Sequence, residues 1–376
     1  MDVIIVGLTD NRSDILNDIS ERSTIIGYAD IKKYYRPFAS FDYVPYYEVS
    51  LSTSISFDYL VIGYKNTNDI QAVKEELIEA GMSTEKVIEY QLFKETLCID
   101  LMKVFSNTDR KFDMFLFGMS HSQCSVQPQY FNQRLFKFAA PSMDLFCQRK
   151  IIDQLLRYYS ESISRVSKFV FELPYYIFNY DLSRFKQFVL NRLYYFHTFS
   201  DYHHFGEKEG ERELIMHFEN FVQAFDRDKR SDKFTLNKDA DTNTNNGFGY
   251  KAKLFANEVL RKREIRRFKD DVWFKDYVDT QKENAGLWKD ILDSIRHANP
   301  AAEIVILVCP FDPLFRKLYK VQIEIMKARF YNMVGNVRII DNFETNDNYH
   351  FFDHCHLKTE CGLRYTQLVR KQLGEC

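Results

Sequence analysis

Short apolar runs closed by glycine alternate with stretches of helical periodicity at the start of this chain. Val3–Val6 ends at Gly7, Thr24–Ile26 at Gly27 and Tyr59–Ile62 at Gly63. Runs of this kind, without polar alternation, suit strands buried on both faces of a sheet. Ile70, Val73, Leu77 and Ile78 recur on one face of a helix, with Asn68 as its cap and Gly81 as its stop. Val87-Ile88 reads as a short returning strand. Strands alternating with helices imply parallel pairing, because each strand needs a crossover to run the same way as the last. The pattern predicts a small parallel α/β domain over residues 1–96.

A second alternating series follows over residues 97–376. A helical junction at 97–110 leads to the apolar run Phe112–Phe117. Helices are expected at Ile151–Ser164, Phe178–Phe199, Lys251–Phe268, Trp288–His297 and Leu314–Tyr331. Strands are expected at Phe169–Leu173, Ile304–Val308 and Val337–Ile340. Residues 226–246 are polar and aperiodic, and read as a surface loop or a lid. The fold class is therefore α/β throughout, in two domains.

Composition narrows the class. The 376 residues are 45% hydrophobic, too many for a disordered chain, and the formal net charge is −2. That charge offers no whole-protein attraction for nucleic acid or an anionic membrane. Seven cysteines, odd in number and without a CxxC pair, fit a reducing compartment better than a disulfide framework. The opening Met1-Asp2-Val3-Ile4-Ile5-Val6-Gly7 reads as a strand and not a signal peptide, and no apolar run approaches a membrane span. A soluble, cytoplasmic protein is expected. After Gly7, Leu8-Thr9-Asp10-Asn11 lacks the further glycines of a dinucleotide-binding turn.

Two pieces carry chemistry. Phe117-Gly118-Met119-Ser120-His121-Ser122 places a hydroxyl on a tight turn after a buried strand. Asp353-His354-Cys355-His356-Leu357 supplies an acid and a histidine three residues apart. Serine needs a base to take its proton, and a carboxylate-held histidine is the common solution in any chain order. Taken singly, Ser120 also suits a helix N-cap and His356 a surface position. His350, His354 and His356 with Cys355 and Asp353 raise the alternative of a metal site, but alternate residues point different ways and no metal is expected. The run Arg261-Lys262-Arg263-Glu264-Ile265-Arg266-Arg267 reads as a solvated helix face, with an anionic polymer as its other use. His197, His203 and His204 read as surface residues, and the cysteines as inert thiols.

Residues 112–376 resemble the SGNH (GDSL-like) hydrolase superfamily, in the branch found in bacterial surface-polysaccharide clusters. Gly118-Met119-Ser120 matches its first block, with Met119 where Asp is usual. Asp353-x-x-His356-Leu357 followed by Gly362 matches its last block. Phe138-Ala139-Ala140-Pro141-Ser142-Met143-Asp144-Leu145 resembles the second block, and Glu172-Leu173-Pro174-Tyr175-Tyr176 the third-block region. Residues 1–96 resemble the small Rossmann-like domains that precede sugar-modifying enzymes in such clusters. The resemblance implies a flavodoxin-like three-layer α/β/α domain, with Ser120 as nucleophile, His356 as base and Asp353 orienting it. It implies oxyanion donors at Ser120, at Ala140 or Ser142 in place of the usual glycine, and at Asn179. The expected reaction is O-acyl (acetyl) transfer to a capsular or other surface polysaccharide through an acyl-enzyme. Acetyl-CoA is the expected soluble donor, and no tightly bound cofactor is expected. An esterase or deacetylase acting on such groups, and a non-catalytic scaffold in a polysaccharide assembly complex, are the alternatives.

Overall fold

The computed structural model of the protein describes residues 2–7, 19, 23–35, 45–52, 54–64, 67–83, 86–90, 101–106, 108, 111–185, 193–227, 258–268, 271–345 and 348–375. The chain is α/β and divides into two compact units, each with its own parallel five-stranded sheet. The first unit is Met1–Ile99 with Lys186–Thr235, and the second is Asp100–Phe185 with Leu236–Cys376. The stretch 186–235, expected within 97–376, thus groups with the first sheet. It holds the helices Leu193–Phe199 and Glu211–Arg227, and the His217 ring meets the Val87 carbonyl at 2.8 Å. A helical period shows that a face is buried, but not against which sheet.

In the first unit the strands are β1 (Asp2–Val6), β2 (Thr24–Asp30), β3 (Tyr46–Glu48), β4 (Tyr59–Ile62) and β5 (Val87–Glu89), in the order β3-β2-β1-β4-β5. Helix α1 (Thr67–Glu79) buries Val73 and Leu77 in one core with Ile4, Val6, Leu60 and Ile62. Gly7, at the tip of β1, has φ +78°, and a Cβ there would lie 2.7 Å from the Tyr64 ring. The Tyr64 hydroxyl donates to Asp30, as does that of Tyr46 at 2.8 Å. Burial and the neighbouring Asp30 carboxylate push the Tyr64 phenol far up.

The second sheet holds β6 (Met114–Gly118), β7 (Leu135–Ala139), β8 (Lys168–Glu172), β9 (Glu303–Val308) and β10 (Arg338–Asp341), in the order β10-β9-β8-β6-β7. Successive side chains point to opposite faces. One face is aliphatic: Met114, Leu116, Val170, Val305 and Leu307 share a core with Tyr365, Val369 and Leu373 near the chain's end. The other face is aromatic. Phe117 stacks between Phe138 and Phe171, at 5.1 and 4.9 Å, and Phe171 meets the edge of Trp288 at 5.1 Å. Helices therefore cover both faces, which makes three layers.

The helices of this unit include α2 (Ser120–Ser125), α3 (Leu145–Tyr158), α4 (Glu258–Arg266), α5 (Val278–Ala298), α6 (Pro313–Leu318), α7 (Lys320–Met333) and α8 (Thr359–Gln372). The expected helix from Phe178 is absent through Phe185. Two 3-10 turns, Ile177–Asn179 and Leu182–Arg184, stand there instead. The Asn284 amide donates to the carbonyls of Ile177, Phe178 and Tyr180, and Asp181 caps the second turn through the Ser183 N–H. Side chains thus supply hydrogen bonds that a helix would have made internally. Among the described residues, no helix is long and apolar enough to cross a membrane.

Candidate active site

Strand β6 ends at Gly118 because only glycine fits there. A Cβ at this position would lie 2.4 Å from Ser122 Oγ and 2.7 Å from Glu172 Cβ. Glu172 closes β8 and is fully buried. Its Oε2 accepts the Met119 N–H at 2.7 Å, and its Oε1 accepts from His121 Nδ1 at 3.0 Å. The β6-to-α2 turn is therefore clamped to the neighbouring strand, with Ser120 as the first residue of α2. Strands β6 and β8 are sheet neighbours although β7 lies between them in sequence. Strand order reverses there, and ligands of open α/β sheets bind at the carboxyl ends of such a pair.

The second half of the site is a closed loop. Phe351 and Leu357 pair as an antiparallel bridge, and the Phe352 N–H donates to the His356 carbonyl at 2.8 Å. Inside the loop, Asp353 Oδ1 accepts the N–H groups of Cys355 and His356, both at 2.9 Å. Asp353 Oδ2 accepts from His356 Nδ1 at 2.7 Å. His356 Nε2 then faces Ser120 Oγ at 2.7 Å. Burial alone would push the Asp353 carboxyl up, but the adjacent His356, the nearby His354 and the Cys355 N–H hold it well below the usual carboxylate range. An ionised Asp353 can only accept. The proton therefore sits on Nδ1, and Nε2 is left to accept from the Ser120 hydroxyl. This arrangement can deprotonate a serine and stabilise the imidazolium that forms.

His354 points elsewhere, against Phe268, Trp273 and Phe315, at ring distances of 4.6, 4.8 and 5.2 Å. The loop runs into α8, where Cys361 Sγ accepts the His350 N–H at 3.2 Å. Thr366 Oγ1 of α8 ties down the chain leaving α2, accepting the Gln127 N–H at 3.0 Å and donating to the Gly362 carbonyl at 2.8 Å. Gly362 lets α8 approach Gln127, whose side-chain nitrogen would lie 2.6 Å from a Cβ there.

The oxyanion candidates differ in what already holds them. The Ala140 N–H donates to the Gly118 carbonyl at 3.3 Å. Asn179 donates to the Lys275 carbonyl and accepts from the Tyr277 N–H at 3.1 Å and from Gln281 at 2.8 Å, so its amide brackets the 275–281 segment. Ser142 takes a left-handed conformation, φ +63°, in the turn after β7. Ser120 N–H belongs to the first turn of α2, where N–H groups lack intrahelical partners.

Two residues with no role assigned from the sequence stand at the centre, Glu172 and His121. The available signal was a carboxylate closing the apolar strand Phe169–Phe171, where an unpaired charge is costly to bury. The histidine group weighed as a metal site divides: His350 meets Glu360 at an exposed position, at 3.2 Å, while Cys355 and His356 share a cluster with His121. In α4, Arg261 pairs with Asp312, and Lys262, Arg263 and Arg266 are exposed, as is Arg267 just beyond it. His197 lies 2.9 Å from Glu219 and His204 lies 2.6 Å from Glu207, while His203 takes a left-handed backbone with φ +54°. Cys124, Cys147, Cys309, Cys355 and Cys361 are buried thiols. Positions 228–246 of the polar segment, residues 8–11 after Gly7, 251–257 of the basic stretch, Cys98 and Cys376 lie outside the described residues. No protein-family model matches the chain, and no curated protein matches it significantly.

Proposed function

We propose that this chain is an SGNH-type enzyme that transfers acyl groups through a serine acyl-enzyme. The observation that carries the reading is the hydrogen-bonded series Ser120–His356–Asp353 at the strand-order reversal of the second sheet. Counted along the unit, the order of that sheet is 2-1-3-4-5, the flavodoxin-like order, which supports the same reading. In the proposed reaction Ser120 Oγ attacks the ester or thioester carbonyl and His356 Nε2 takes the hydroxyl proton. Asp353 stabilises the imidazolium. The N–H groups of Ser120 and Ser142 receive the oxyanion. Collapse expels the alcohol or thiol with the proton from His356. A second acceptor then takes the acyl group by the reverse sequence.

The substrate class proposed is a carbohydrate O-acetyl group on a surface polysaccharide, with acetyl-CoA as donor in the cytoplasm. Transfer and hydrolysis use the same residues and differ in whether a sugar hydroxyl or water takes the acyl group. The test is intact-mass spectrometry after incubation with acetyl-CoA or an activated acetyl ester, followed by candidate oligosaccharides. An acetyl adduct on Ser120, absent in Ser120→Ala, is the expected result. Adduct decay without sugar acetylation would assign the esterase direction. No adduct with any donor would overturn the acyl-enzyme and favour a scaffold role.

A further inference from the structure

The turn after β6 carries a second carboxylate–histidine pair that acyl transfer does not use. His121 Nδ1 donates to Glu172 Oε1 at 3.0 Å, as His356 Nδ1 donates to Asp353 Oδ2 at 2.7 Å. Each ring therefore keeps Nε2 as its acceptor atom. The two rings lie 5.3 Å apart between centroids and are inclined by 32°. Cys355 Sγ lies 3.5 Å from Nδ1 and 4.0 Å from Nε2 of His356. One ligand atom each from His121, Cys355 and His356 falls within 4.8 Å of the other two, and all three residues are buried. Around a tetrahedral zinc ion, with bonds of about 2.0–2.3 Å, neighbouring ligand atoms stand about 3.3–3.6 Å apart. A contraction of this cluster by at most about 1.5 Å reaches that geometry.

We propose that His121, Cys355 and His356 form a binding site for a zinc-like divalent ion, overlapping the serine's base. Two nitrogens and one sulfur suit such an ion, and histidine ligands whose other nitrogen is held by a carboxylate are the usual supporting arrangement. A water molecule or Ser120 Oγ completes four ligands. Binding releases the Cys355 thiol proton to solvent and breaks the hydrogen bond from Ser120 to His356, with no change of oxidation state. While the ion is bound, His356 Nε2 cannot accept the serine proton. The ion therefore inhibits the chain's own acyl chemistry, and this inhibitory part alone rests on the acyl-transfer reading.

The test titrates the reduced, metal-stripped full chain with cobalt(II) and reads its absorption spectrum. The expected result is one ion per chain, thiolate-to-cobalt charge transfer in the near ultraviolet, tetrahedral bands in the visible, and displacement by zinc. Cys355→Ser is expected to lose the charge-transfer band. His121→Ala, and the bulkier His121→Gln should the alanine variant not fold, are expected to weaken binding by more than about 10-fold. Ser120→Ala is expected to keep the spectrum. A missing thiolate band, or one that survives in Cys355→Ser, would overturn the site, as would unchanged affinity in a folded His121 variant. If the wild type turns over an activated ester and stays active with the site filled, the overlap with His356 is wrong. A complete cobalt spectrum without ester turnover supports the site and counts against the acyl reading instead.

Discussion

Asp353 performs two tasks with its two oxygens, and substitution separates them. Oδ1 closes the loop through two backbone N–H groups, and Oδ2 fixes the His356 tautomer. Asp353→Asn can keep an oxygen toward the backbone but then presents an N–H donor to Nδ1. The proton would move to Nε2, the wrong nitrogen for accepting from serine, and a fall in kcat of about 10⁴-fold is expected in ester turnover. The carboxyl is lowered in the folded chain relative to about 3.9 when unfolded, so its contribution to stability is complete above about pH 4. That contribution is lost as pH falls through the lower folded value. Chemical unfolding of Asp353→Asn is therefore expected to depend less on pH below about 4 than unfolding of the wild type. An unchanged acid limb would show that the lowered carboxyl contributes nothing to folding. Gly118 and Gly362 illustrate how two glycines in matching motifs differ. Gly118 faces Ser122 Oγ and the Cβ and Oε2 of the buried Glu172 at the end of a strand, whereas Gly362 faces the tip of the Gln127 side chain, which can turn away.

At the scale of elements, α8 holds the end of α2, the helix that Ser120 begins. Thr366 is fully buried and its hydroxyl receives the Gln127 N–H. Thr366→Val keeps the shape and leaves that donor without its acceptor, so a loss of about 1–3 kcal/mol is expected in denaturant unfolding. A loss below this range would mean that another acceptor replaces the hydroxyl. The elements with strong apolar runs were the ones readable in advance: β1, β4, β6, β8 and β9 fall within a residue or two of their expected bounds. Strand β7 was not anticipated, since Lys137 interrupts its apolar run; its ammonium donates to the carbonyls of Gln123 and Val126, at 2.9 and 3.0 Å. Strand β3, only three half-buried residues, carries too little pattern to detect. The helix expected over Leu314–Tyr331 divides at Tyr319 into α6 and α7. Ser120, Asp353 and His356 stood out because their chemistry is local in sequence, three residues apart or one turn after a strand. The Glu172–His121 pair depends on β8 lying beside β6, which no local pattern reveals.

At the scale of the molecule, the two units are interleaved along the chain, each built from two stretches. Within the second unit, the proposed nucleophile and base come from opposite ends, 236 positions apart. Their separation has a consequence for timing during synthesis. Ser120 leaves the ribosome early, in a chain that has not yet been given His356 or the carboxylate that orients it. On the proposed mechanism, the domain cannot acylate itself or attack bystander esters until the segment holding Asp353 and His356 has been made. A ribosome-stalled chain ending before residue 350 is expected to remain unlabelled by an activated acetyl ester that labels the finished chain at Ser120. Labelling of the stalled chain would mean that another group activates the serine. The proposed reactivity would thus be withheld from the newborn protein by the order in which its parts are made.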